Sequence, residues 1–359
     1  MDYQTLIPVA DSIPAPSWVF ILLEQLIFLL HIILINAVLG GAFVVLFKRI
    51  TGKDDEMLFY RNMPVEEEFP VLLALAINMG VPPLLFSQVV FGHLFYTSSV
   101  LMAVYWILII PILIVAYYGI YIHKVKYNKS PWFSKISLIT AIILLLYIGF
   151  MQVANNAMLE QPESWTAYFG ERGGTFLNLG NPAFFPRYFH FIIASVAIGG
   201  LFYALVHKYL KRPTEEKATN IREGLRIFAI ATTLQAAVGI WYLLAIPQEF
   251  VQQFMGGNGW ATFCLILGAS AGIGALATGF LGKFNATFIL TLVTLAAMIL
   301  TRYQLRMMYL SDNFRLSELK LKPQYGILVL FLVILLAGLA AIYYMVIIGF
   351  NKEGRSGVQ

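Results

Sequence analysis

Long apolar stretches separated by short polar connections run along the whole chain. Windows of about 20 apolar residues are long enough to cross a bilayer as a helix. They fall at nine places: 18–47, 69–91, 99–123, 132–155, 187–207, 224–246, 260–281, 284–301 and 325–350. The pattern predicts an all-α fold, a polytopic membrane helical bundle of about nine transmembrane helices that forms one domain over residues 1–359.

The composition agrees with this prediction. Hydrophobic residues make up 59% of the chain and charged residues 12%, whereas soluble domains have roughly half and a quarter. The only cysteine, Cys264, lies in an apolar stretch. We therefore expect neither a disulfide framework nor covalently attached haem.

Basic residues concentrate in the connections after the first, third and fifth apolar stretches. By the positive-inside rule these connections are cytoplasmic. Nine crossings then place the N-terminus outside and the C-terminus inside, which suits a bacterial cytoplasmic (inner) membrane. The leader before the first stretch has two aspartates and no basic residue, unlike a cleavable signal peptide. The three clusters are Lys48, Arg49, Lys53 and Arg61; Lys124, Lys126, Lys129 and Lys135; and Lys208, Lys211, Arg212, Lys217 and Arg222.

The connection after the eighth stretch breaks this trend, since its basic residues would face outward. An anionic partner, such as haem propionates or an acidic protein, would explain them. The other long connection, over 156–186, has turn residues and Trp165, and we expect it to cap the outer face. The outward basic residues are Arg302, Arg306, Arg315, Lys320 and Lys322.

Two ionisable residues lie in the first stretch. His31 is near its middle, and Glu24 lies two turns toward the outside on the same face. Intramembrane ionisable groups indicate a functional site. The pair suggests a proton path or a cofactor pocket, unless Glu24 is solvated and His31 merely bonds a neighbouring helix.

His190 follows Arg187 near the outer end of the fifth stretch. The small residues after it leave room for a flat macrocycle, which suggests haem, although they also suit close helix packing. His93, at the outer end of the second stretch, is either a haem ligand or a wet interfacial residue. His123 and His207 adjoin lysines, and we expect them to be solvated helix ends without chemistry.

The second stretch contains Asn78, Gly80 and Pro82-Pro83, which should bend its helix inside the membrane. The candidate polar residues all fall in the outer half of the predicted bundle. That placement predicts a periplasmic active or electron-transferring face. The candidates are Glu24, His31, His93, Arg187, His190, Arg302 and Arg306.

Several segments resemble the haem-bearing subunit I of cytochrome bd quinol oxidases, in matching order over most of the chain. Residues 31–42 (HIILINAVLGGA) resemble its first-helix histidine and the L-G-x-A that follows, and residues 181–190 (NPAFFPRYFH) resemble its approach to the low-spin haem histidine. Residues 149–152 (GFMQ) and 78–92 add weaker matches. The resemblance implies that His31 and His190 ligate haem iron.

Three parts of the oxidase are missing. Ile266 stands where the family has its axial methionine, and residues 108–111 (LIIP) and 298–302 (MILTR) lack its acidic haem-site residues. Its long quinol loop is reduced to residues 247–259. These departures argue against an oxygen-reducing dihaem centre and against quinol oxidation at the usual place.

The favoured interpretation is a b-haem electron-transfer subunit of a respiratory complex, with one or two non-covalent haems b. It would exchange electrons between the quinone pool and periplasmic monohaem or multihaem cytochromes c, as part of a quinol:cytochrome c-type oxidoreductase. His190 would ligate haem with His93 or a methionine opposite, while His31 holds a second haem or handles protons. Glu24 would accept a quinol proton. Propionates would be neutralised by Arg187, Arg302 and Arg306.

Expected partners are membrane lipid, the periplasmic cytochromes and further membrane subunits, and not nucleic acid. Three alternatives remain. In the first, the chain is a haem-free membrane anchor that docks a partner. In the second, it is a divergent quinol:oxygen oxidase with other haem ligands. A transporter is also conceivable, but the sequence shows no inverted repeat.

Overall fold

The computed structural model describes residues 2–52, 55–170 and 172–355, and within them it is almost entirely helical. Short 3₁₀ turns lie at Tyr3–Leu6, Pro162–Gly170 and Leu316–Glu318, and a π turn lies at Gln253–Gly257. The helices are α1 Ser17–Thr51, α2 Asp55–Leu101, α3 Ala103–Lys126, α4 Pro131–Glu160, α5 Phe184–Tyr209, α6 Thr214–Ala245, α7 Gln248–Gln252, α8 Gly259–Phe280, α9 Phe284–Leu310 and α10 Tyr325–Arg355.

Eight of these helices are long and apolar enough to cross a membrane. They match the first eight predicted stretches, so the prediction of a polytopic membrane helical bundle is confirmed. The ninth stretch corresponds to α10, whose apolar part among the described residues is Tyr325–Gly338. The chain is a multi-pass membrane protein.

Successive helices run in opposite directions, so the bundle has two ends. We call the end where α1 begins the leader end, and the end where α1 finishes at Lys48 and Arg49 the basic end. Extensive contacts pair α1 with α2, α3 with α4, α5 with α6 and α8 with α9, and α1 also packs on α5. The α8–α9 pair lies mainly against α6.

Several helices extend further than the apolar stretches that predicted them. Helix α2 begins at Asp55, α4 continues to Glu160, and α9 continues to Leu310. Arg302 and Arg306 therefore belong to α9, and their assignment to the following connection was wrong. The polar ends of α4 and α9 form ion pairs with each other and with further helices, as described below.

The leader end is covered by two segments. Residue 13 pairs with the chain before α10, where the Ile13 N–H donates to the Lys320 carbonyl and the Lys322 N–H to the Ile13 carbonyl, both at 2.9 Å. The 3₁₀ turn after α4 buries Trp165, whose Nε1–H donates to the Met158 carbonyl at 2.9 Å. The 3₁₀ turn within the predicted cap over residues 156–186 thus packs onto the bundle.

Helix α2 is helical through Pro82 and Pro83. Non-helical backbone angles occur instead at Phe91, with φ −117° and ψ 22°. The interruption of α2 is therefore two turns closer to the leader end than the predicted bend.

Helix α5 touches both of its neighbours through glycines. A Cβ on Gly199 would lie 2.1 Å from the Gly40 carbonyl carbon of α1, and a Cβ on Gly200 would lie 2.7 Å from the Phe228 nitrogen of α6. Both contacts are with backbone, which cannot rotate away. Small residues of this kind let membrane helices pack closely by van der Waals contact.

We predict that Gly199→Ala destabilises the bundle by about 1–3 kcal/mol or more, because α1 and α5 must separate. Gly259→Ala is the matched control, since a Cβ there meets nothing within 4 Å. Cys264 is the only cysteine and is buried. The melting temperature of each variant is measured in detergent, from the reaction of the Cys264 thiol with a fluorogenic maleimide as heating unfolds the protein and exposes the thiol. Equal melting temperatures for the two would contradict the prediction.

Candidate functional site

A buried ion network joins five helices at the leader end. Glu24 of α1 is 3% exposed. Its Oε1 accepts hydrogen bonds from Ser87 Oγ of α2 and from Arg306 Nη1 of α9, both at 2.9 Å. Glu24 is thus not the solvated interfacial residue of the alternative interpretation.

Glu160, at the end of α4, forms the second half of this network. Arg187 of α5 donates to it through both terminal nitrogens, at 2.6 and 3.1 Å. Arg306 Nε lies 3.5 Å from Glu160 Oε1, which connects the two acids. Such bidentate pairs are the stronger kind of ion pair, and burial makes loss of one partner costly.

Asn156 of α4 contacts two arginines at once. Its Nδ2 donates to the Gln152 carbonyl, and its Oδ1 accepts from Arg302 at 3.0 Å and from Arg306 at 2.8 Å. Two cations therefore share one neutral amide oxygen. The guanidinium of Arg302 also lies over Phe28 of α1, 4.6 Å from the ring centre.

The charges of this network do not cancel. Arg187 and Arg306 have carboxylate partners, but no described carboxylate lies within 4 Å of Arg302. Three guanidinium groups face two carboxylates, which leaves one positive charge. The predicted role of these arginines toward propionates stays a prediction, as does that of Glu24 toward a quinol.

His31 lies between α1 and α2, half-buried. Its Nδ1 is 2.8 Å from the Ala76 carbonyl. A carbonyl only accepts, so Nδ1 carries the proton and Nε2 keeps a lone pair. A Cβ on Gly80 would lie 2.8 Å from the imidazole Cε1, so this glycine provides the space for the ring.

His190 lies between α5 and α6. Its Nδ1 is buried and has no hydrogen-bond partner among the described residues. The imidazole faces Gly239, where a Cβ would lie 3.4 Å from Cε1, and its ring centre is 6.2 Å from that of Tyr242. An unpaired nitrogen at this depth is energetically unfavourable, and a bound metal or ligand would give the ring a partner.

His93 lies under the connection between α9 and α10. It is half-buried, and its ring centre is 5.0 Å from that of Phe314. The three candidate histidines therefore occupy three separate places. In the described part of the chain, no group of three or more His, Cys, Asp or Glu residues is arranged to hold a metal ion. A haem site would thus depend on single histidines.

His123 and His207 are not solvated helix ends, and that prediction was wrong. Their exposures are 0% and 1%. His123 Nε2 lies 3.3 Å from Glu66 Oε2, beside the bidentate pair of Arg49 with Glu66. Consecutive residues of a helix lie on different faces, so adjacency to a lysine did not indicate exposure of the histidine.

A second ion pair lies at the basic end, between the buried Lys48 of α1 and the more exposed Glu223 of α6. Lys48 Nζ is 2.9 Å from Glu223 Oε2 and donates to the Tyr203 hydroxyl of α5 at 2.7 Å. The ring of His207 packs 4.4 Å from that of Tyr203. The basic end is therefore tied together by interhelical ion pairs, as the leader end is.

The sequence interpretation missed Asn156 and Glu160. It ended the fourth helix at residue 155, although the apolar run Ala157, Met158 and Leu159 continues beyond that point. One turn separates Asn156 from Glu160, so a longer helix would have placed both on one face. The apolar run at residues 157–159 could therefore have indicated the longer helix.

Comparison with known proteins does not assign the chain to a family. No protein-family model matches the chain, and a search of curated proteins finds no similar sequence. The resemblance to the cytochrome bd subunit therefore remains a prediction that depends on the motifs quoted above.

We predict that Glu160→Gln lowers the free energy of unfolding by about 3–5 kcal/mol, because Arg187 loses its buried counter-charge. Glu249→Gln, an exposed acid at the same end, should change it by less than about 0.5 kcal/mol. The measurement is denaturant unfolding in detergent, monitored through the reactivity of the Cys264 thiol.

The double variant Glu160→Gln with Arg187→Gln should cost less than the two single changes added together, because it leaves no uncompensated charge. Additive costs, or an unaffected Glu160→Gln protein, would show that the pair does not act as a buried ion pair.

Proposed function

We propose that the chain is the membrane-embedded b-haem subunit of a respiratory electron-transfer complex. It exchanges electrons between the quinone pool and periplasmic c-type cytochromes, and belongs to the cytoplasmic membrane of a bacterium. The observation that carries this proposal is His190. It is an intramembrane histidine whose buried Nδ1 has no described partner and whose ring faces a glycine across the α5–α6 interface.

The surroundings of His190 suit a haem ligand. Gly239 keeps the imidazole close to α6, and iron ligation by one ring nitrogen would offset part of the cost of burying it unpaired. When bound, the haem would supply reversible one-electron transfer. The chain's own contribution is to fix the imidazole and to keep the surroundings apolar.

The position of His190 suits electron exchange with a partner at the leader end. It lies in the second turn of α5, which begins at Phe184. Positive-inside reasoning places the basic end, with Lys48 and Lys208, in the cytoplasm, so the leader end faces the periplasm. A cytochrome c that docks there would reach the redox group across a short distance.

The ion network near this site leaves the imidazole without a charged neighbour that is unpaired. Arg187, less than one turn before His190, is neutralised by Glu160 and adds no net charge beside the imidazole. His31 is assigned on this proposal to a second haem or to proton handling. His93 lies at a separate place, against Phe314, so this proposal does not pair it with His190.

The experiment is a dithionite-reduced minus oxidised spectrum with pyridine haemochrome quantification, on this subunit purified from its cytochrome partners. We expect haem b in the wild type and its loss in His190→Ala. Added imidazole should restore part of the spectrum of that variant, because it replaces the missing ligand. Restoration of this kind would separate ligand loss from misfolding.

A flat wild-type spectrum would contradict the proposal and favour the haem-free anchor. Haem that survives His190→Ala unchanged would exclude His190 as a ligand. Oxygen uptake by the purified complex with quinol as donor would instead indicate a divergent oxidase.

A further inference from the structure

At the seam between α1 and α9, Phe28 and Arg302 form a second polar site together with His31, whose ring lies on the α2 side of α1. Contacts across the seam lie one helical turn apart. At the first level Glu24 pairs with Arg306, and at the next level Phe28 lies under Arg302. His31 follows Phe28 on α1, with ring centres 6.2 Å apart.

The two levels differ in charge balance. The first level is balanced in charge, since Glu24 neutralises Arg306 at 2.9 Å. The second has a cation and no described carboxylate within 4 Å. An arginine stays charged in a protein, so Arg302 needs a further acceptor beyond the Asn156 oxygen.

The two polar groups of this site have opposite hydrogen-bonding needs. Arg302 has only N–H donors, and one of them is used by Asn156. His31 Nδ1 is occupied by the Ala76 carbonyl, so Nε2 is an acceptor. A ligand for the site must therefore offer an oxygen to Arg302 and an O–H or N–H to His31. Phe28 neighbours both groups, with the guanidinium 4.6 Å and the imidazole centre 6.2 Å from its ring centre.

The depth of the site restricts the ligand further. Arg302 lies two turns inside the end of α9, which is about 12 Å along the helix axis. Phe28, His31 and Arg302 are each half-buried, so the site is partly open. A phospholipid phosphate stays at the headgroup level. A ligand here must itself be lipid-soluble, while carrying hydroxyl groups on a flat ring.

We propose that this site binds the headgroup of a hydroquinone. One hydroxyl donates to His31 Nε2, an oxygen of the ring accepts from the guanidinium of Arg302, and the ring packs beside Phe28. The inference rests on the proposed function, because it names where the quinone substrate of that electron exchange binds. It also commits His31 and Arg302 to the substrate, instead of to a second haem and to haem propionates.

The test measures binding of duroquinol, a tetramethylhydroquinone, to the purified full-length protein by anaerobic isothermal titration calorimetry. Its dimethyl ether, which has no O–H donor, is the matched ligand. We expect the wild type to bind duroquinol about tenfold more tightly than the ether. We expect Arg302→Gln and His31→Leu each to weaken duroquinol binding about tenfold or more.

Arg315→Gln is the matched control, because Arg315 is exposed at the same end of the bundle and should leave the affinity unchanged. Thermal exposure of Cys264 shows which variants are folded. Haem content is measured in parallel, and the proposal expects it to be unchanged in Arg302→Gln and His31→Leu.

Three results would overturn the proposal. The first is equal affinity for duroquinol and its ether. The second is folded Arg302→Gln and His31→Leu variants that bind duroquinol like the wild type, which would leave Arg302 to water or an acidic lipid. The third is loss of haem in His31→Leu, which would make His31 a haem ligand.

These results are distinct from failure of the proposed function. A haem-free wild type that binds duroquinol with the expected dependence on Arg302 and His31 would remove the electron-transfer proposal and keep this site.

Discussion

The structure depends on the high cost of an unpaired charge between apolar helices. At the leader end this cost is met by Glu24 and Glu160, which come from α1 and α4 and neutralise arginines of α9 and α5. Each acid and base is expensive to bury alone, and together they hold distant segments at fixed positions. A membrane offers little hydrophobic driving force between helices, so such pairs add specificity that apolar contact does not supply.

The basic end follows the same rule with other residues. Glu66 accepts from Arg49 and lies against His123, while Glu223 pairs with Lys48. Between the two ends, α1, α5 and α6 approach through glycines, with backbone against backbone. Ion pairs at both ends and close packing in the middle explain how the α1–α2 and α5–α6 pairs form one body.

Arg302 and the two central histidines each retain a donor or an acceptor that the described residues do not use. Arg302 has no carboxylate, His190 has a buried nitrogen without a partner, and His31 retains a lone pair after bonding Ala76. All three of these groups lie in the half of the bundle nearer the leader end. The proposals for haem and hydroquinone assign a partner to each.

The sequence by itself determined the class of the molecule. Eight apolar stretches became membrane-length helices, because in a bilayer the backbone must satisfy its own hydrogen bonds and apolar side chains must cover it. Its pattern also indicated Glu24, Arg187 and Arg306 as candidates. Only the tertiary structure decided how these charges pair, because Glu160 meets both Arg187 of the next long helix and Arg306 of α9, which is far away in sequence. The burial of His123 has the same origin, since adjacency to a lysine does not indicate which face the ring occupies. Pairing and burial depend on contacts between distant segments, and those arise only when the helices pack.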